Sequence, residues 1–195
     1  MGQAEKKRII GIDIAAEDKA IGSIILSIVV IDDITFFRKY HIPKKELTPT
    51  ERLQLVDKLK NKVWFDILRI QPAEDSNYPD LKAKGVVEAL NRYPKFWKHN
   101  IRIFSTDHEL VERMEAMMPH NLKNKKLKMK KWVTDSRNAK VLNLAKLFAE
   151  WGHDIEYAEI RHTWEDFGSG DPSDEVTIKF MKENDDCPYI RKLID

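Results

Sequence analysis

Residues 9–31 read IIGIDIAAEDKAIGSIILSIVVI. Two runs rich in β-branched residues, Ile9 to Ile14 and Ala20 to Ile31, lie on either side of a short polar stretch and read as two strands. After the Asp32-Asp33 turn, Ile34 to Tyr40 reads as a third. Consecutive strands with short connections most simply pair as an antiparallel meander. Asp13 stands inside the first apolar run, where packing alone would favour another Ile or Val.

A helix follows with two independent start signals. Thr48 suits an N-cap with Pro49 at the first helical position, and Glu51 three residues on completes a capping box. Leu53, Leu55, Val56, Leu59 and Val63 recur at helical spacing, so the helix is expected to run to about Asn61 with one buried face. Trp64 to Ile70 reads as a strand, Gln71 to Pro79 as a loop, and Leu81 to Arg92 as a helix halted before Pro94. Beyond it, Ile101 to Ser105 is a short strand that delivers Asp107, and His108 to Met118 a helix. Lys130 to Val133 reads as a strand ending at Asp135, and Ser136 to Trp151 as an amphipathic helix. Strands and helices alternate in this half, which predicts parallel strands joined by crossover helices. The expected fold class is α/β: a mixed sheet of three antiparallel N-terminal strands and then parallel ones, flanked by helices, with a small helical C-terminal portion. Residues 1–7 form a tail, 8–152 one domain, and 153–195 a C-terminal loop and helical extension packed on it.

The 195 residues suffice for one real core and for no more than two small domains. Thirty-four Lys plus Arg against 32 Asp plus Glu leave a net charge of +2. The chain is therefore no polycation, and any nucleic-acid binding must come from local clustering. Such a cluster exists, since Lys123 to Lys131 holds six lysines in nine residues. Lys125, Lys126, Lys128 and Lys130 are candidate phosphate contacts, although a solvated lysine-rich loop reads the same way. The single cysteine, Cys187, excludes an internal disulfide framework and a zinc site built on several thiolates, and points to a reducing, cytoplasmic setting. No stretch approaches the roughly 18 consecutive apolar residues of a membrane span, so no membrane partner is expected.

Three carboxylates share a kind of position: Asp13 ends the first strand, Asp107 follows a later one, and Asp135 lies between a third and its helix. Loops at the strand ends of α/β sheets gather ligands because the sheet fixes side chains that the loops expose. The three are therefore expected to converge. Mg²⁺ or Mn²⁺ takes oxygen ligands, and two such ions about 3.5 to 4 Å apart activate a water and stabilise the leaving oxygen in phosphodiester cleavage. Asp107 and Asp135 also suit simple helix caps, whereas Asp13 does not.

From Ile9 to Ile190 the chain resembles ribonuclease HII of archaeal type, within the ribonuclease H-like superfamily. Gly11-Ile12-Asp13-Ile14-Ala15 is similar to the family's opening Gly-x-Asp-Glu-Ala strand, and Lys44-Lys45-Glu46-Leu47-Thr48-Pro49 to its Ser-Lys-Lys-Leu-Thr-Pro entry to the first helix. Ala83 and Ala89-Leu90-Asn91 resemble the helix before the third catalytic carboxylate, which places Asp107 on that carboxylate. Ser136-Arg137-Asn138-Ala139-Lys140-Val141 is similar to the Ser-x-x-Ala-Lys-Val helix start. The most specific likeness is Phe167-Gly168-Ser169-Gly170-Asp171-Pro172-Ser173-Asp174 to the Phe-Gly-Ser-Gly-Tyr-Pro-Ser-Asp loop. The resemblance implies a ribonuclease H-like fold and metal-dependent cleavage of the RNA strand of RNA–DNA hybrids.

Four departures bear on that chemistry. The Asp-Glu pair is Asp13-Ile14, and the Gly-Arg-Gly segment that contacts the cleavage junction is Ala16-Glu17-Asp18. The junction tyrosine is Asp171, and the fourth carboxylate falls on Leu144. An anion beside the phosphate path disfavours the same substrate geometry. Glu17 or Asp18 is placed to replace the missing glutamate, and Asp135 to replace the helix carboxylate. Ordinary ribonuclease HII activity is not expected.

Two functions stay open. One is a nuclease of altered substrate choice that holds Mg²⁺ or Mn²⁺ with Asp13, Asp107 and Asp135, with Glu17 in reserve, and acts on an RNA–DNA hybrid or other structured duplex. The other is a catalytically inactive, nucleic-acid-binding paralogue. In both, Ser136, Lys140 and Ser169 join the lysines as candidate nucleic-acid contacts. Trp97, Trp132, Trp151 and Trp164 read as packing residues, and His108 and His162 as surface or packing histidines.

Overall fold

The apolar runs of the first third form strands. β1, Lys7–Ala15, pairs antiparallel with β2, Ile24–Ile31, so that Ile10 lies beside Val30 and Asp13 beside Ser27. These and the elements below come from a computed structural model, which describes residues 7–15, 24–32, 34–71, 77–94, 100–118, 127–130, 136–164 and 189–192.

The third antiparallel strand is not Ile34 to Tyr40. That stretch contains a one-turn helix, α1, Phe36–Lys39, and the strand beside β2 is β3, Trp64–Gln71. The aromatic spacing explains the difference. At helical separation Phe36 meets Tyr40 at 4.7 Å between ring centroids, while Phe37 turns into the core. Between them lies α2, Pro49–Leu59, whose capping box forms as expected: Glu51 N donates to Thr48 Oγ1 at 3.3 Å, and Thr48 N donates to Glu51 Oε2 at 2.9 Å.

α3, Tyr78–Arg92, starts earlier than expected because Asn77 caps it, accepting from Asp80 N, with Pro79 in its first turn. β4, Asn100–Phe104, runs parallel to β1, and α4 spans His108–Met117. The next strand, β5, is Leu127–Lys130, and of the expected strand Lys130 to Val133 only Lys130 lies among the described residues. Parallel pairing with β4 sets Leu127 beside Ile101 and Met129 beside Ile103, a register that matches apolar residue to apolar residue.

α5 extends over Ser136–Trp164, thirteen residues past the expected end at Trp151. Gly152 lowers helix propensity there by about 1 kcal/mol. Ion pairs downstream offset it, since Asp154 is held by Arg52 of α2 and the buried Glu156 by Arg69 of β3. The C-terminal portion also contributes a strand that the sequence does not announce, β6, Tyr189–Lys192, antiparallel to β3, and the expected loop at Phe167 to Asp174 lies outside the described residues. The sheet order is β5-β4-β1-β2-β3-β6.

Strand alternation sorts side chains into two cores. Ile10, Ile12, Leu26, Ile28, Leu68 and Ile101 pack under α3 and α4. Ile9, Ile25, Val29, Ile67 and Phe104 pack under α2 and α5, where Trp151 meets Phe65 and Phe148 edge-to-face as a core residue. The expected mixed sheet flanked by helices is the fold.

Candidate active site at the ends of parallel strands

Because β1 and β4 are parallel, with Gly11 in register with Phe104, their C-terminal ends lie at the same end of the sheet. Asp13 comes two residues after Gly11 and Asp107 three after Phe104, so the topology carries both to that end. Asp13 shares the face of Ile9 and Gly11, which α5 covers. α5 lies very close there. A Cβ on Gly11 would stand 2.6 Å from the Val141 carbonyl oxygen, and Ser27 Oγ donates to the Ala145 carbonyl at 2.6 Å.

Asp107 caps α4. Its Oδ1 accepts from Leu110 N at 2.9 Å, and its own N–H donates to Ser105 Oγ at 3.1 Å. Its Oδ2 accepts from Lys82 Nζ at 2.8 Å. Lys82 projects from α3 and is only 5% exposed, with its ammonium 4.6 Å from the centre of the Tyr78 ring. Burial pushes the Asp107 carboxyl up, but the hydrogen bonds from Lys82 and Leu110 outweigh it and hold the group below the ordinary carboxylate range.

The other sequence candidates divide clearly. Lys140 is exposed on α5, Ser136 is the first residue of that helix, and Lys128 and Lys130 lie on β5. Asp135, Glu17, Lys125, Lys126 and Ser169 lie outside the described residues. Leu144, at the place of the family's fourth carboxylate, is fully buried in the core beneath α5. Sequence reasoning passed over Lys82, although a signal was present. It falls on the apolar face of α3 with Ala83, Val86 and Ala89, where a charge needs a partner. Asp66 was missed likewise. It is buried in β3 and accepts from Arg92 Nε and Nη2 at 2.8 and 2.6 Å.

A divalent metal, which the resemblance implies, needs about three or four oxygen ligands from carboxylates. Among the described residues no three of His, Cys, Asp or Glu come together in that way. Asp107 already gives one oxygen to a helix cap and the other to an ammonium. Of the four candidate ligands the described residues include only Asp13 and Asp107, fewer than such a site needs.

No family model matches the chain. Ribonuclease HII of Pyrococcus horikoshii is 26% identical over 184 residues, which cover 90% of this chain and 82% of that protein. The crystal structure of ribonuclease H2 from P. horikoshii OT3 superposes with a TM-score of 0.61 at 25% identity, over 91% of this chain and 86% of the other. RNase HII from Archaeoglobus fulgidus, solved in complex with PCNA, gives a TM-score of 0.61 at 19% identity, over 90% and 85%. With the mixed sheet and the strand-end aspartates, these likenesses define a ribonuclease H-like protein. Within that class the chain is similar to ribonuclease HII, at 25 to 26% identity over about nine-tenths of its length.

Proposed function

We propose that this chain binds nucleic acid as a ribonuclease HII-type protein whose hydrolysis through the family's four carboxylates has been lost. The observation that carries this reading is Leu144. Where the family places a metal-site carboxylate, this chain has an apolar side chain with no exposed surface, packed with Val141, Ala145 and Phe148. Restoring a carboxylate there would bury a charge without a partner. Ile14 removes a second carboxylate. The binding half is supported by the strand pairing. Parallel to β4, β5 runs toward the same end of the sheet as Asp107 and takes Lys128 and Lys130 with it, in register with Arg102 and Phe104. A lysine row at that end suits a phosphate backbone.

One observation favours a second reading, the nuclease of altered substrate choice that uses Mg²⁺ or Mn²⁺ with Asp13, Asp107 and Asp135: parallel pairing brings Asp13 and Asp107 to one end of neighbouring strands.

One experiment separates the two. RNA–DNA hybrid, duplex DNA and single strands are offered with Mg²⁺ or Mn²⁺, and binding and cleavage are followed beside Asp13→Ala. The binding reading expects a salt-sensitive complex and no cleavage. Cleavage that Asp13→Ala abolishes would establish the nuclease, and failure to bind any of the strands at low salt would overturn both.

A further inference from the structure

We propose that the Lys82 ammonium takes the place of a divalent cation at Asp107, so that this strand end meets a nucleic-acid backbone with its carboxylate already neutralised by a group built into the fold. The nucleic-acid half rests on the binding reading above, whereas the exclusion of metal from Asp107 rests on geometry alone.

Lysine is among the residues least often buried, and one that is stays charged only where a partner holds it. Lys82 is 5% exposed and shares the packed face of α3 with Ala83 and Val86. Its Nζ lies 2.8 Å from Asp107 Oδ2, and the Tyr78 ring offers a second surface suited to a cation at 4.6 Å. The remaining Asp107 oxygen accepts from Leu110 N at 2.9 Å. A Mg²⁺ ion coordinated by Asp107 would sit about 2.1 Å from a carboxylate oxygen. The ammonium is already beside that oxygen, so the two cations would be near neighbours, and metal entry requires Lys82 to leave its packing.

The pair also has a defined place in the fold. It joins α3 to the β4–α4 turn, at the end toward which β1 and β5 also run. An unpaired Asp107 there would repel phosphate, and the ammonium removes that repulsion without an ion from solution. A bound metal and Lys82 are thus alternatives at the same carboxylate.

The test titrates Mn²⁺ into the full chain and into Asp107→Asn, with the paramagnetic resonance of free Mn²⁺ as readout. Asn still accepts from the α4 N-terminus, so the cap survives the change. Equal uptake by the two proteins, including none by either, is expected; uptake by the wild type that Asp107→Asn abolishes overturns the proposal. Lys82→Gln is expected to lower Tm by about 5 to 10 °C. Mn²⁺ is expected to regain part of that loss in Lys82→Gln and to leave the wild-type Tm where it was. A Lys82→Gln protein as stable as the wild type, or one that folds and gains nothing from Mn²⁺, also overturns it. Should Lys82→Gln not fold, the comparison with Asp107→Asn decides. Duplex affinity of the wild type is measured alongside at constant ionic strength. Equal affinity in Mg²⁺ and in chelator is expected, and a rise that requires Mg²⁺ overturns the nucleic-acid half. Absence of any duplex binding sinks the binding reading alone, and the Mn²⁺ result still stands on its own.

Discussion

Arg52 and Asp154 meet through two parallel hydrogen bonds, Nε to Oδ2 at 2.7 Å and Nη2 to Oδ1 at 2.8 Å, and so tie α2 to the far half of α5. Arg52 also donates through Nη1 to the Leu47 carbonyl, at the entry to its own helix. Both side chains are mostly buried, and Asp154 raises the guanidinium above its ordinary value. The planar fork matches the carboxylate in a way that an ammonium does not. Arg52→Ala is expected to cost about 2 to 4 kcal/mol, and Arg52→Lys to recover less than half of it. Urea unfolding checks both; equal stability of Arg52→Lys and wild type would show that charge alone suffices.

Gly11 admits α5 to the sheet. Its absent side chain leaves room for the Val141 carbonyl oxygen, which is backbone and has little freedom to retreat. Gly11→Ala is therefore expected to destabilise by about 1 to 3 kcal/mol through overpacking. Thermal unfolding measures the loss. The shift of Val141 and Ala145 amide resonances would locate it, and an unchanged Tm would mean that the helix gives way freely.

The capping box of α2 sets a pH window. Hydrogen bonds from Lys45 and from the Thr48 backbone hold the Glu51 carboxyl down at about 2, against an ordinary 4.5. A carboxyl lowered in the folded state stabilises fully above its unfolded value and loses that contribution as pH falls toward the folded one. The stability difference between wild type and Glu51→Gln is therefore expected to be greatest above pH 4.5 and to shrink toward pH 2. Acid titration of Tm for the two proteins checks it, and a constant difference across the window would refute the assignment.

The lysine cluster of Lys123 to Lys131 makes a separate prediction. Replacing Lys125, Lys126 and Lys128 with Glu is expected to weaken duplex binding at low salt and to flatten its salt dependence by about 0.9 in logarithmic slope for each phosphate no longer neutralised. Fluorescence anisotropy over a range of KCl measures the slope, and an unaltered one would remove these lysines from the interface.

Much of the architecture was legible where local chemistry decides it. Thr48, Pro49 and Glu51 mark a helix start within four residues, and the observed cap uses all three. Alternating strands and helices placed Asp107 between β4 and α4, so both of its readings, strand-end carboxylate and helix cap, were visible in advance. Ile34 to Tyr40 misled because Phe and Tyr favour strands intrinsically, whereas their contacts, Phe36 on Tyr40 above all, use a helical spacing. The length of α5 and the burial of Lys82 and Asp66 were hidden for a common reason. Each depends on a partner distant in sequence: Arg52 for Asp154, Asp107 for Lys82, and Arg92 for Asp66. Periodicity reports which face of an element is apolar, but not which charge on another element will neutralise an exception to it.

The position of β6 has a consequence for how the chain is made. β3 is complete by residue 71, yet the strand that pairs with its outer side is Tyr189–Lys192. During synthesis from the N-terminus, more than a hundred residues must emerge before those main-chain donors and acceptors find their partner. Until then the nascent molecule presents an open strand edge to its neighbours on the ribosome, and an edge of that kind invites pairing with other chains.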